Sequence, residues 1–474
     1  MYQLTDRDLD DQGYDDNPAI RAAANANSAV LEALLAYYKS RCDDKTLTGY
    51  EQRSITRCSP SATIAFRSPI KAAISINSAE NLRLLLAAGA DPDGILRWEA
   101  ADYSARSVVL AKAREHGIVH PVCPLTEGEL DERRRWFPMF WTEWFVPGRS
   151  LRMGRAWTAL EEAAGYGRPE LFDLLRAAGA DESAWVQQSD SDDPELWNFD
   201  ESTPVSFLTT SSPLHEALYW GEQAMVRHLL STCEHSPNYR PPAAPTMALP
   251  PLSHILVRCD LDDENVHNCL VDLLAHPRLD LNLRTPVFGI HPLHFATAHH
   301  NPKLLTWLAG FIPGGLATAR TTALGHTLLH IACVPLIPNQ IVAKNPNVLK
   351  SIHCIRTVDY RWHPRVKLLP SPSCGEVATA EEIASIDPQP LTTAEQQAQL
   401  ATIRVLVEAR QGQEEVADVR AKDVDGNTAL HYLAGTLNMS DEIIELVRGL
   451  EGGEEAWWEA KNHWGLTPSQ LWGE

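Results

Sequence analysis

One block of sequence occurs twice without a gap, and this repetition constrains the fold more than any other feature of the chain. Residues 68–91 and 158–181 have equal length, carry alanine at the equivalent positions Ala73 and Ala163, and both end in Ala-Ala-Gly-Ala-Asp. Repetition on this scale is typical of solenoids, in which each copy is one supersecondary unit that buries its apolar face against the next. We therefore expect a stack of repeats.

Further openings of the same kind recur along the 474 residues. "SPLHEALYW" begins at Ser212 and "GIHPLHFA" at Gly289, while "GHTLLHIAC" begins at Gly325 and "GNTALHYLA" at Gly426. With three weaker copies included, the equivalent position of the openings holds Ile20, Ile70, Leu160, Leu214, Leu252, Leu293, Leu329, Leu430 and Ser469. The second and the seventh gaps between these positions are long enough to hold an insertion.

Each copy has the residue pattern of a helix hairpin. A Ser or Thr at the start can cap free backbone N–H groups, and a proline after it suits the first helical position. In the second half, apolar residues such as Leu82, Leu85 and Leu86 follow helical spacing, which indicates a buried face. Between the helices one residue must reverse the chain in the left-handed conformation, which Gly and Asn tolerate best. The residues at this position are Asn77, Gly167, Gly221 and His300.

The pattern resembles the ankyrin repeat, whose signature runs G-x-T-P-L-H-x-A-A, a short turn, and an apolar helix that ends near L-L-x-x-G-A-D. Residues 212–215 and 291–294 keep the Pro-Leu-His core of this signature. Other copies depart from it at the proline or the histidine position. The replacements are Leu328 and Ala429 for proline, and Lys71 and Glu161 for histidine. The resemblance implies an all-α, ankyrin-type solenoid of stacked helix-turn-helix repeats with two long irregular insertions.

The predicted divisions of the chain follow the copies and the gaps. They are an acidic N-terminal segment at 1–16, divergent N-terminal repeats at 17–117, an aromatic-rich insertion at 118–157, central repeats at 158–335, an insertion rich in proline and basic residues at 336–391, and C-terminal repeats at 392–474. In the seventh gap we expect the first helix, from Thr327, to end at Pro335 and the second helix to run over 393–410. Loops as long as these insertions are usually functional or disordered.

The net charge and the lengths of the apolar segments argue against two classes of partner, nucleic acids and membranes. The net charge of -21 and the isoelectric point near 5.3 oppose binding to phosphate backbones or to anionic lipid. The most apolar stretch, residues 135–147, is broken by Pro138 and Glu143 and is shorter than the roughly 20 residues that a spanning helix needs. We expect neither a nucleic-acid partner nor a membrane span.

The first residues and the cysteines bear on the compartment. Residues 1–16 are acidic, whereas a targeting leader would be basic and then apolar or amphipathic, so we expect no leader. The nine cysteines are odd in number, scattered, and never arranged as C-x-x-C, which is typical of reduced thiols. We predict a cytoplasmic protein, with the nucleus as the alternative.

The clustered histidines invite a metal or acid–base interpretation, which the repeat register opposes. His326 and His330 stand four apart, as the ligands of an H-E-x-x-H zinc helix do, but Thr327 replaces the glutamate of that motif. The resemblance makes His294 and His330 signature histidines, which order the turn through hydrogen bonds, and makes His291 a capping residue. We therefore predict no metal site and no cofactor.

Sequence motifs give little support to a catalytic function. Residues 165–172 superficially resemble a phosphate-binding loop, but the third glycine is missing and the stretch follows a helix instead of a strand. We find no nucleophile with a nearby base in the sequence, although catalytic triads assemble in space. We predict a non-catalytic protein-interaction scaffold.

The resemblance places the partner surface in the concave groove and at the turn tips. The residues that it implies for partner contact are Ile290, His299, His326, Val424, Asp425 and Asn427. Residues 133–157 form a second candidate surface, since aromatic and arginine side chains dominate binding hot spots. The predicted contacts there are Trp136, Phe140, Trp141 and Trp144. The alternative is that these rings pack on the neighbouring hairpins.

An enzyme or a small-molecule binder is the rival hypothesis. In it the two insertions fold over the groove and close a pocket lined by Trp136, Trp141, Trp144, Trp362 and His363. The basic stretch 350–367 also has two interpretations, because it could bind a partner or pair with the acidic stretch 189–201 of the same chain. A third class, an adaptor for protein degradation, lacks an identifiable recruiting motif near the N-terminus.

Overall fold

We describe the protein from a computed structural model. It describes residues 17–47, 49–56, 59–60, 66–95, 97, 158–186, 202–209, 211–241, 249–258, 263–285, 289–322, 325–336, 391–409, 416–423, 425–436 and 438–473. The chain divides into two compact units, which we treat separately. Unit 1 comprises Met1–Ala111, Ser150–Ile255 and Cys259–Leu279, and unit 2 comprises Lys112–Arg149, Leu256–Arg258 and Asp280–Glu474.

In the described residues of unit 1, the regular structure is helical except for one short pair of antiparallel strands. The helices are α1 (Pro18–Ala23), α2 (Ser28–Ser40), α3 (Gly49–Thr56), α4 (Pro69–Ser75), α5 (Ala79–Ala87), α6 (Ala159–Gly165), α7 (Pro169–Ala177), α8 (Ser183–Val186), α9 (Pro213–Trp220), α10 (Gln223–Ser231), α11 (Pro251–Arg258, whose last three residues belong to unit 2) and α12 (Glu264–Leu274), with a 3-10 turn at Val205–Leu208. The strands β1 (Ser59–Pro60) and β2 (Phe66–Arg67) pair antiparallel.

The hairpins of unit 1 stack in two layers. The first helices pack in the order α1, α4, α6 and α9, each against the next. The second helices pack in the order α2, α5, α7, α10 and α12. Each described hairpin therefore buries its apolar face against a neighbour, as repeat architectures require.

Unit 2 repeats this arrangement with eight described helices. They are α13 (Pro292–Ala298), α14 (Pro302–Phe311), α15 (Leu328–Cys333), α16 (Thr393–Glu408), α17 (Ala429–Ala434), α18 (Asp441–Arg448), α19 (Gly453–Glu459) and α20 (Pro468–Trp472), with a 3-10 turn at Gly315–Ala319. The first helices α13, α15, α17 and α20 pack in that order, and α14 packs on α16. The all-α solenoid that the sequence predicts is thus confirmed for the described residues.

All nine predicted openings begin a helix, which confirms the repeat register. At α4 the Ser68 hydroxyl accepts the N–H of Lys71 (3.3 Å), and proline follows the cap. At α13 the cap is His291, whose Nδ1 accepts the N–H of Leu293 (3.2 Å). A side-chain cap stabilises a helix by about 1 kcal/mol, so each hairpin begins where its sequence marks the start.

The predicted reversal between the paired helices is also confirmed. The residues at this position have positive φ angles, which are 56° for Asn77, 62° for Gly167, 73° for Gly221 and 50° for His300. The left-handed conformation costs an ordinary residue roughly 1–2 kcal/mol. His300 therefore bears a backbone penalty that the glycines at the equivalent turns avoid.

The second helices supply much of the core. Leu82 and Leu85 of α5 are fully buried, as are Phe172 and Leu175 at the equivalent positions of α7. The third apolar residue of the predicted face, Leu86, is partly exposed. Each fully buried side chain of this kind stabilises the fold by roughly 1.5–3 kcal/mol.

The edges of the predicted second insertion agree with the observed helices to within two residues. The first helix, α15, ends at Cys333, and the second, α16, runs over Thr393–Glu408. The predicted insertions themselves, apart from residues 336 and 391, lie outside the described residues, so the domain boundaries stay predictions. No described helix is both long enough and apolar enough to cross a lipid bilayer.

Candidate functional site

The signature histidines cap the helices on which they lie. In α15 the Nδ1 atom of His330 accepts the N–H of Thr327 (3.2 Å), and in α17 the Nδ1 atom of His431 accepts the N–H of Thr428 (3.0 Å). Each threonine hydroxyl in turn caps its helix, so the pair forms a reciprocal capping box. Since Nδ1 is an acceptor here, the neutral ring carries its proton on Nε2.

The opposite side of each ring bonds to the next hairpin. His330 Nε2 donates to the carbonyl oxygen of Asn427 (3.1 Å), and His431 Nε2 donates to that of Leu466 (3.1 Å). Burial lowers the pKa of both histidines to about 4. These rings are therefore neutral at physiological pH, and both nitrogens are committed to the backbone of unit 2.

Glu161 takes the histidine position in unit 1. Its Oε2 atom accepts the Thr158 N–H (2.8 Å) and the Thr158 hydroxyl (3.1 Å), which completes a capping box at α6. Burial raises the pKa of Glu161 to about 8, and the negative charge of the buried Glu216 acts in the same direction. Glutamate thus reproduces the cap of the signature histidine but makes it sensitive to pH near neutrality.

Three of the residues predicted to contact a partner lie in the interior of unit 2. Ile290, His326 and Asn427 are buried. The Ile290 N–H donates to the Thr285 hydroxyl (3.0 Å), and the Asn427 N–H donates to Oδ1 of Asp423 (2.8 Å). The surface role expected for these three side chains is corrected to an interior one, because neighbouring segments of the chain already cover them.

His326 belongs to a buried polar network instead of a groove surface. Its Nε2 atom lies 3.0 Å from the Tyr432 hydroxyl and 3.4 Å from Oδ2 of Asp423, and the same hydroxyl donates to that carboxylate (2.5 Å). Burial alone would raise the pKa of Asp423, but hydrogen bonds from His326 and Tyr432 outweigh it and lower the pKa. Each of the two carboxylate oxygens has a donor, so the arrangement ties α15 to α17.

Two other predicted contacts remain partly exposed. His299 follows α13, and its Nε2 atom lies 2.5 Å from the carbonyl oxygen of Leu256. Asp425 lies at the tip before α17, and its carbonyl oxygen accepts the N–H of His463 (2.9 Å). The predicted contacts Val424, Trp136, Phe140, Trp141 and Trp144 lie outside the described residues, as do the predicted pocket residues Trp362 and His363.

The sequence interpretation missed an exposed aromatic pair in unit 1. Trp220, the last residue of α9, is 51% exposed, and Tyr166, which follows α6, is 44% exposed. A Cβ atom on Gly165 would lie 3.2 Å from Cδ1 of Trp220, so the indole lies directly against the end of the preceding first helix. Each residue of this aromatic pair comes immediately before a glycine in the left-handed conformation. This shared position in two successive repeats could have identified the pair from the sequence.

The edge of the aromatic pair is acidic. A Cβ atom on Gly167 would lie 2.1 Å from Oε2 of Glu222, so this carboxylate occupies the space above the turn that follows Tyr166. The Tyr219 ring meets the Trp220 ring edge to face at 5.2 Å between centroids. The ends of α6 and α9 therefore combine apolar rings with a negative charge.

Comparisons with known proteins give a likeness in structure but none in sequence. No family model and no curated protein matches the chain. Among solved structures, the chain is similar to the human ASB11 ankyrin repeat domain, with 16% sequence identity and a TM-score of 0.37 over 72% of this chain and 97% of that one. The assignment of repeats in this chain rests on the caps, turns and hydrogen bonds described above.

Proposed function

We propose that the protein is a non-catalytic scaffold that recognises another protein through the exposed ends of its first helices. The aromatic pair, Tyr166 and Trp220, is the observation that carries this proposal. Aromatic side chains bury a large area with little loss of conformational entropy, which is why they dominate binding hot spots. Two such rings exposed at the same position of successive repeats form the start of a contact surface.

The charge beside the aromatic pair suggests the chemistry of the partner. Glu222 lies at its edge, and the whole chain carries a net charge of -21. Complementary charge favours correct partners and raises association rates. We infer a partner segment that presents apolar side chains together with lysine or arginine.

We propose some of the other predicted contacts as additional parts of the partner surface. In unit 2, His299 and Asp425 are partly exposed and extend the set of candidate contacts. Val424 and the aromatic segment with Trp136, Phe140, Trp141 and Trp144 remain predictions, as does a ligand pocket closed by the insertions. The cytoplasm is the proposed compartment, with the nucleus as the alternative. The four described cysteines, which are Cys42, Cys233, Cys269 and Cys333, are free thiols and agree with either.

Affinity capture with variants tests the proposal. We expect a stoichiometric protein partner to co-purify with the wild-type chain and to be lost, by about tenfold or more, from the Trp220→Ala and Tyr166→Ala variants. Phe311→Ala is the matched control, because Phe311 is 45% exposed but lies on a second helix. Capture that is unchanged in the first two variants would contradict the proposed surface.

A further inference from the structure

Three side chains of different chemistry converge where α7 meets α10 in unit 1. Asp173 lies on α7, His228 lies on α10, and Cys233 follows α10 by two residues. A ligand atom from each lies within 4.8 Å of the other two, and His228 Nε2 lies 3.0 Å from Oδ1 of Asp173. Among the residues that the structure describes, this is the one His, Cys and acidic group close enough to share a metal ion.

The fold holds these donors in place. Helix α7 packs on α10, and the N–H of Cys233 donates to the carbonyl oxygen of His228 (3.1 Å), which fixes the backbone of Cys233 relative to that of His228. The Phe172 and His228 rings meet edge to face, with 6.3 Å between centroids and an angle of 88°. Two of the three candidate ligands are thus positioned by backbone and ring contacts that do not involve a metal.

We propose that Asp173, His228 and Cys233 form a zinc site that joins two adjacent repeats. Zinc takes carboxylate, imidazole and thiolate ligands at about 2.0–2.3 Å and prefers four ligands in a tetrahedron. The 3.0 Å between the Asp173 oxygen and the His228 nitrogen suits two ligands of one ion. The Asp173 side chain is half exposed, so water can supply the fourth ligand.

One divalent cation would balance the charges around the proposed site. With the Cys233 sulfur as thiolate, Asp173, Cys233 and Glu182 contribute three negative charges, and Arg176 contributes one positive charge. Arg176 Nε donates to both oxygens of Glu182 (2.8 Å each), and its Nη1 atom lies 3.7 Å from Oδ1 of Asp173, so this cation pairs with Glu182 and also reaches one candidate ligand. The remaining charge of minus two equals what one Zn²⁺ neutralises.

Metal binding at this site must release a proton. Zinc binds cysteine as the thiolate, so a Cys233 thiol must lose its proton when the metal binds. As the zinc–sulfur bond forms, the S–H bond breaks and the proton passes to solvent, with no change of oxidation state. Zinc affinity should therefore increase as the pH rises.

Titration of metal-free protein with Co²⁺ tests the site, because a thiolate ligand gives cobalt a charge-transfer band in the near ultraviolet. We expect one equivalent of this band in the wild-type chain, its loss in Cys233→Ser, and affinity weaker by about tenfold or more in His228→Gln and Asp173→Asn. Zn²⁺ should displace the cobalt and raise the thermal unfolding midpoint. Cys269→Ser, which removes another buried thiol of unit 1, is the control and should keep the band.

Loss of cobalt binding has to be separated from loss of folding in the variants. Since Cys233 is buried, its replacement can reduce stability, and circular dichroism will show whether each variant keeps its helices. The His228 side chain lies nearer the surface than Cys233, so His228→Gln tests the site with less loss of stability. The proposal is overturned if no thiolate band forms, or if folded Cys233→Ser and His228→Gln variants bind cobalt with the stoichiometry and affinity of the wild type.

Discussion

The Nε2 atom of His330 lies 3.1 Å from the carbonyl oxygen of Asn427, 97 residues further along the chain. This bond joins α15 to the start of the hairpin that contains α17, so the two repeats are neighbours in unit 2 despite the long gap in sequence. The same ring caps its own helix through Nδ1. One side chain therefore defines both the start of a repeat and the contact to the next.

Replacing His330 with alanine should destabilise unit 2. The change removes the acceptor for the part-buried Thr327 N–H and the donor to the buried carbonyl of Asn427, and it leaves a cavity at the buried position of His330. We expect a loss of about 2–4 kcal/mol in the free energy of unfolding. Urea denaturation measures it, with His463→Ala as the control because His463 is exposed. Equal effects of the two changes would contradict the bridging role.

The buried histidines should make unit 2 sensitive to acid. The pKa values of His330 and His431 fall from 6.5 in the unfolded chain to about 4 in the folded one. Because the unfolded chain binds protons more readily, their contribution is fully present above pH 6.5 and is lost as the pH falls towards 4, by up to about 3 kcal/mol for each group. Urea denaturation at pH 7.5, 6 and 5 should show this decline. His330→Gln should make this decline shallower. Stability that rises as the pH falls from 7.5 to 5 would contradict the assignment of neutral, buried histidines.

Glu161 should give the opposite dependence in unit 1. Its folded pKa of about 8 lies above the unfolded value of 4.5, so its contribution is fully present below pH 4.5 and is lost as the pH rises through 8. Glutamine keeps the capping acceptor but does not ionise. We expect Glu161→Gln to gain stability relative to the wild type between pH 5 and pH 8.5, by several kcal/mol in order of magnitude. A difference that is constant with pH would show that the carboxyl does not titrate in this range.

Two glycines of unit 2 allow the destabilisation caused by backbone strain to be compared with that caused by close packing. Gly426 and Gly465 have φ angles of 76° and 77°, so alanine at either position costs roughly 1–2 kcal/mol in conformation. A Cβ atom on Gly426 would also lie 3.2 Å from Cα of Asn462, whereas none of the described atoms lies within 4 Å of one on Gly465. We expect Gly426→Ala to be the more destabilising change by about 1 kcal/mol or more in thermal or urea unfolding. Equal losses would mean that the backbone at Asn462 moves without cost.

Much of the fold follows from local sequence, whereas the site depends on contacts between repeats. Ser68 and Gly167 specify a cap and a left-handed turn by their own chemistry, and both predictions are confirmed. The burial of His326 could not be predicted in the same way, because Tyr432 of the next repeat and Asp423 cover it. A repeat signature gives the position of a residue within one hairpin, but the neighbouring hairpin decides whether that position faces solvent.

The candidate zinc ligands show the same limit. His228 and Cys233 are close in sequence, but Asp173 lies 55 residues before His228 in the preceding repeat. No local motif links the three, since their proximity results from the packing of α7 on α10.

Site-specific photo-crosslinking tests the proposed recognition surface most directly. A photoreactive phenylalanine derivative at position 166 replaces Tyr166, which is 44% exposed, and one at position 311 replaces Phe311, which is 45% exposed. The proposal predicts a defined covalent adduct with a protein partner from position 166, suppressed by Trp220→Ala, and none from position 311. Adducts of equal yield from both positions, or none from position 166 in the presence of a captured partner, would contradict it.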